Sequence, residues 1–444
     1  MMKKIIRVLV LVCIVVCCCT ACDKNIEGTT ITTIQTEEIC ASYDPIAMEE
    51  PLRGLIGKTV YHNGYMFFFE TVESESAGDL YSVKRLNLLT GEISSPCKDP
   101  LCTHLNEDCP FVCGGMGPPM IQFFDQYILV HSQFRDYSLA EHSRYKRILY
   151  NEKTGEWKEI FQTVSSNTNS KNAFCIDHYL YHAAYGARRT ENGEVYVPTE
   201  IRRYNLKNGE EEVIYTHDFC IFLVMAGQSR LYFYEDIAGE KFRFFSVDKD
   251  GKDFRNEPRI TLRPSYVYQN RIYGELEFDG TFTKSPLLIQ DLNTGETLTV
   301  VEDHINGSLC IAENKLYYLT KEYYTESHID MNKVIEEGFA AGVANPYKTE
   351  PYASKLAEIE RLKNTGTAYL WQCDLDGSNS KIVMEFPGAG ALYFCILDGY
   401  MYANYTFYDV TTGEQLGTKD EQGQPCRINL TTGEVEFLHK LGAE

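Results

Sequence analysis

Short runs in which apolar and polar residues take turns recur from about Gly54 to the end of the chain. "YHNGYMFFF" at Tyr61, "FFDQYILV" at Phe123, "CIDHYLYH" at Cys175 and "AGQSRLYFY" at Ala226 share one plan, repeated in "VYQNRIYGEL" at Val267, "IAENKLYYL" at Ile311 and "ILDGYMYANY" at Ile396. Alternation with a period of two is what a half-buried β-strand requires. A polar pair at the centre of each stretch marks a tight hairpin. A second signature follows one strand later, in "RLNLLTGE", "LYNEKTGE", "RYNLKNGE", "FSVDKDGK", "IQDLNTGE", "QCDLDGSN" and "RINLTTGE". Its glycines are Gly91, Gly155, Gly209, Gly251, Gly295, Gly377 and Gly433, and each predicts a positive φ that other residues adopt at a cost.

Each unit therefore reads as strand, turn, strand, loop, strand, glycine turn, strand. That is a four-stranded antiparallel meander, present in seven copies. One meander cannot cover both of its own faces, so the copies must stack, and the radial solution is a β-propeller. The expected fold is all-β, a single seven-bladed propeller of four-stranded antiparallel blades over residues 54–444. A WD-type propeller is excluded, because Trp157 and Trp371 are the only tryptophans and neither precedes Asp.

One stretch breaks the two-residue period. Around residues 325–365, in the sixth unit, "DMNKVIEEGFAAG" places Met331, Val334, Ile335 and Phe339 on one helical face, and "ASKLAEIERLKNTG" spaces Leu356, Ile359 and Leu362 alike. Asp330 is placed to cap and Gly342 to stop the first helix. These faces predict a helical insertion, either a decoration packed on blade six or a lid or partner-docking hairpin over the propeller mouth. The other long loops are Tyr185–Glu200 and Tyr405–Gln424. In a meander the long loops gather at one end of the blade, where binding is commonly built.

Composition changes the picture in two ways. The chain carries 63 acidic against 42 basic residues, a net charge of −21. It offers no basic cluster, so nucleic-acid binding is excluded on electrostatic grounds. The N-terminus reads differently from the body. Lys3, Lys4 and Arg7 precede the apolar run "VLVLVCIVV", which is the size of a signal-peptide core, and "CTAC" follows. The expected organisation is a signal peptide over 1–21, a lipidated Cys22 with a polar linker over 22–53, and then the propeller. The protein is thereby expected on the extracytoplasmic side of the cell membrane, held by a lipid.

The candidate chemistry lies in "CKDPLCTHLNEDCPFVC", taken as the crossing from blade one to blade two. Export permits disulfides among Cys97, Cys102, Cys109 and Cys113. A structural zinc held by Cys97, Cys102, His104 and Cys109, or with Cys113 in place of His104, is the second reading. Free thiols in a loop stiffened by Pro100 and Pro110 are the third. None is catalytic, since four protein ligands leave a metal no open position. Elsewhere, "DKDGKD" at Asp248–Asp253 hints at calcium but serves fully as a turn. Cys175, Cys310 and Cys395 are expected at equivalent points of their first strands, as small buried apolar residues. No nucleophile elbow, H-E-x-x-H or phosphate loop occurs.

The repeats, with "YLWQCDLDGSNSKIV" the clearest, resemble those of TolB-like propellers. The whole chain resembles a family of Firmicutes β-propeller lipoproteins in which a "CxDPxCxH…CP" segment recurs, here "CKDPLCTHLNEDCP". That resemblance implies the fold and the membrane location, and no particular activity. The functional expectation is a tethered binding module for a protein or glycan. A carbohydrate-active enzyme, a glycosidase or lyase working in the central channel, is the alternative.

Overall fold

The structure, a computed structural model, describes residues 60–72, 80–106, 108–114, 120–135, 143–164, 173–186, 189–191, 194–196, 198–235, 243–275, 285–322, 331–343, 345–389 and 394–441. The signal peptide, Cys22, the linker and the capping residue Asp330 lie outside the described residues.

Seven consecutive antiparallel meanders make up the described chain, as the repeats predict. This is the blade architecture of a β-propeller, all-β with a helical insertion in blade six. Blade two is typical. Its strands Met120–Phe124, Tyr127–Arg135, Ser143–Asn151 and Trp157–Val164 pair in chain order. Blades five and six share the sixteen-residue strand Thr297–Ala312, which finishes one meander and begins the next.

The turns explain the repeat. In "NLLTGE" the Asn87 Oδ1 accepts the Leu89 and Thr90 N–H groups at 2.9 and 3.2 Å. The Thr90 hydroxyl accepts from the Glu92 N–H, and the Gly91 N–H closes on the Asn87 carbonyl at 2.8 Å. The same bonds recur at Asn151, Asp291 and Asn429, and at Asn205 the Asn208 side chain takes the place of the threonine hydroxyl. All seven turn glycines have φ between 72° and 83°.

Two compact units divide the chain. One holds blades three and four and most of blade five. Its core runs between blades three and four through Phe174, Tyr181, Ile201, Leu223, Phe233 and Phe245, and on to blade five through Tyr232, Ile272 and Leu288. The other holds blades one, two, six and seven. There Phe67, Val83, Ile121 and Ile148 fill the space between blades one and two, and Leu319, Phe386, Met401 and Ile428 that between six and seven. Met66, Phe68 and Leu86 of blade one pack on Tyr402 of blade seven and on Leu438. Each such side chain stabilises by about 1.5–3 kcal/mol on burial, so these interfaces hold the blades together.

The insertion forms helix α1, Met331–Ala340, and helix α2, Tyr352–Lys363, with Gly342 at φ 82° ending the first. Val334, Leu356 and Ile359 bury against one another, with Ile335 and Tyr352 packed beside them, so the two helices pack face to face. The end of α2 docks on its own fold, where the Gly366 N–H donates to the Val410 carbonyl and Arg361 to that of Thr412.

Candidate metal centre

The cysteine segment is not the crossing between blades one and two. Strand Leu80–Asn87 pairs first with Ile93–Ser94 and again, further along, with Val112–Gly114. The outer strand of blade one is thus built from two pieces, and the segment is an excursion between them. Tyr81 lies opposite Cys113, and the Val83 N–H donates to the Phe111 carbonyl at 2.9 Å. The return strand is held by pairing with residues some thirty positions earlier, which the sequence pattern does not reveal.

Two tight turns fold the excursion. Asp99, Pro100, Leu101 and Cys102 form the first, with the Cys102 N–H bonded to the Asp99 carbonyl at 3.2 Å and the Leu101 N–H to Asp99 Oδ1 at 2.9 Å. Asp at the first position and Pro at the second suit such a turn. In the second, the Cys109 N–H reaches the Asn106 carbonyl at 3.2 Å, and Asn106 Nδ2 donates to Asp108 at 3.0 Å. Between them His104 takes φ 56°. The motif's Asp, Pro and Asn are therefore turn formers, and its cysteines and histidine are what the turns bring together.

The donor atoms of Cys97, Cys102, His104 and Cys109 all lie within 4.8 Å of one another. Cys109 Sγ is 3.5 Å from His104 Nδ1. None of the described cysteines is in a disulfide. Cys113 is not part of the set; it is buried on the return strand. Of the two ligand sets open in the sequence, the one with His104 is assembled.

Burial is the first cause of the shifts at Cys97, His104 and Cys109. Desolvation pushes the Cys97 and Cys109 thiols up; at Cys109 the Cys97 and Cys102 sulfurs add to it, whereas at Cys97 the Asp99 backbone and the Cys109 thiol oppose it. The His104 imidazole is lowered, first by burial and then by the Lys84 ammonium. Three soft sulfur donors and a neutral imidazole nitrogen form a set suited to a metal ion. The ion must displace the thiol protons to bind.

The loop's outer surface is apolar at two points, where Leu101 is 89% and Leu105 62% exposed. Its inner side leans on blade two. The Tyr150 hydroxyl meets the peptides on both sides of Cys97, and the Tyr150 ring meets Phe111 edge-on at 4.8 Å. Nothing in the sequence pattern singles out Tyr150, one aromatic among many in strand positions.

The other candidates resolve as structure. In "DKDGKD", Asp248 accepts the Lys252 N–H at 2.6 Å, Arg203 takes Asp250, and Arg230 and Arg255 take Asp253. These acids are engaged by guanidinium groups and the turn itself. Cys310 and Cys395 each sit at the third pair from their hairpin turns, opposite Tyr317 and Tyr402. Cys175 sits one pair closer, opposite Leu180, and so points to the other side of its blade. The expected common register holds for two of the three, and only Cys310 is buried.

No protein-family model and no curated protein matches the chain. Several solved structures are similar. The Pyrococcus horikoshii acylaminoacyl peptidase is 11% identical with a TM-score of 0.49, covering 87% of this chain and 52% of that one. The chain therefore spans about half the length of that enzyme. The β-propeller domain of the Trilobed protease from Pyrococcus furiosus, described as having an open velcro topology, is 11% identical with a TM-score of 0.48, over 87% of this chain and 98% of that one. TolB from Acinetobacter baumannii is 10% identical with a TM-score of 0.31, over 71% and 78%.

Proposed function

We propose that the protein is an extracytoplasmic lipoprotein of the Firmicutes propeller type. It is anchored in the cell membrane through Cys22, and its propeller is a non-catalytic module that binds a protein or glycan. In this reading Cys97, Cys102, His104 and Cys109 hold a structural zinc ion that stiffens one recognition loop.

The convergence of three thiols and one imidazole within 4.8 Å carries the reading. Donor atoms around tetrahedral zinc stand about 3.5–3.8 Å apart, given Zn–S near 2.3 Å and Zn–N near 2.0–2.1 Å. The set needs only a small contraction to reach that geometry. With all four positions taken by protein, the ion would supply no open site for substrate; it would contribute folding free energy. In this reading it fixes a loop that presents Leu101 and Leu105 to solvent. The acidic charge and the signal-like N-terminus favour display outside the cytoplasm.

Elemental analysis of the purified mature chain, paired with titration of its thiols, is the test. About one zinc per chain is expected, with the three ligand cysteines protected until a chelator is added. Metal-free protein whose loop thiols all react at once would refute the zinc site.

A further inference from the structure

We infer that Tyr150 fastens this metal centre to blade two, so that the ion braces the junction between blades one and two and not its own loop alone. The inference rests on the zinc reading above. Tyr150 belongs to strand Ser143–Asn151 of blade two and is 0% exposed. Its hydroxyl accepts the Lys98 N–H at 3.0 Å and donates to the Pro96 carbonyl at 3.2 Å. Those two residues flank Cys97, the first ligand. One hydroxyl, accepting on one side and donating on the other, thereby fixes the backbone on both sides of a sulfur donor.

The same residue reaches the other arm of the loop. Phe111, two residues beyond the last ligand, packs edge-on against the Tyr150 ring at 4.8 Å. The turn that follows the Tyr150 strand closes on the loop as well, since a Cβ added at Gly155 would lie 3.3 Å from the Lys98 Cβ. Groups that orient metal ligands from behind typically change metal affinity ten- to a hundredfold when removed. Coupling is reciprocal, so an ion that orders Cys97 must also favour the docking of blade two on the loop.

The test uses the mature chain and its Tyr150→Phe variant. Zinc affinity is measured by competition with a chromophoric chelator, and thermal midpoints are recorded with and without zinc. Tyr150→Phe should still bind zinc, about ten- to a hundredfold more weakly. Its zinc-induced rise in midpoint should be smaller than that of the unaltered chain. Tyr181→Phe, at a fully buried tyrosine of blade three, should leave zinc affinity unchanged while altering stability. An unaltered chain that takes up no zinc would sink the zinc reading itself. An unaltered chain that binds zinc, with Tyr150→Phe matching it in affinity and in midpoint rise, overturns this inference alone. Should Tyr150→Phe not fold, Phe111→Leu reads the coupling through the other arm, and unchanged zinc affinity there overturns it equally.

Discussion

His104 Nδ1 and Cys109 Sγ stand 3.5 Å apart, while Cys113, four residues on, is buried opposite Tyr81 and takes no part in the cluster. The two neighbouring cysteines should therefore respond differently to substitution. Cys109→Ser should weaken zinc binding by about a hundredfold or more, taking one ligand as roughly a quarter of the apparent binding energy of a structural site. Cys113→Ser should leave the zinc content unchanged and cost stability only through packing. Metal content after dialysis against a weak chelator separates them. Equal loss in both variants would put Cys113 in the ligand set.

Reactivity should also sort the cysteines of the blades. Burial pushes the Cys426 thiol up to about 12, and Cys373 is raised to about 12 by burial and by the Asp374 and Asp376 carboxylates. The thiolate is the reacting species, so at about pH 8 both should resist an aromatic disulfide reagent in the folded chain and react after unfolding. Cys175 and Cys395, which are less buried, should react first. Rapid native labelling of Cys426, located by peptide mass, would contradict the packing between blades six and seven.

The acid response of one inter-blade contact follows from its geometry. Arg203 of blade three donates to Asp250 in the turn of blade four at 2.6 Å and holds that carboxyl below its ordinary 3.8. A carboxyl depressed by folding stabilises the fold above its unfolded value, and that stabilisation is lost as pH falls through the lower folded value. Asp250 is largely exposed, so the pair should contribute less than about 1 kcal/mol. Asp250→Asn should thus lower the midpoint slightly near neutrality, and the difference should close below about pH 4. A difference that persists undiminished in acid would mean that the carboxylate charge is not its source.

Most of the architecture was legible because the turn chemistry is local. Asn87 to Glu92 make their bonds within six residues, so the sequence carries the whole instruction. The aromatic alternation is equally local, and it places Tyr181, Phe233 and Phe245 in cores without knowledge of their partners. What failed to show was long-range. The return strand Val112–Gly114 is recognised only by its pairing with Leu80–Ser82, and without that pairing the cysteine loop looks like a connection. The ligand types were visible, but the choice of His104 over Cys113 depends on two turns and a strand register. Tyr150 meets Lys98 across 52 positions, a distance at which one strand tyrosine is indistinguishable from the others.

Two turn glycines with the same backbone conformation should differ in what they tolerate. Gly251 and Gly295 have φ of 72° and 77°. A Cβ at Gly295 meets nothing within 4 Å, whereas one at Gly251 would lie 1.9 Å from the Ile214 carbonyl oxygen, in the outer strand of blade three. Gly295→Ala should cost only the left-handed conformation, about 1–2 kcal/mol. Gly251→Ala bears that cost and must also push the turn of blade four away from blade three, adding about 1–3 kcal/mol for overpacking against a backbone that cannot rotate aside. It should also loosen the neighbouring Arg203–Asp250 contact, so the acid response described above should shrink in Gly251→Ala and persist in Gly295→Ala. Denaturant midpoints of the two variants, each taken at neutral pH and in acid, decide the matter. Equal destabilisation would show that the blade-four turn does not press on blade three.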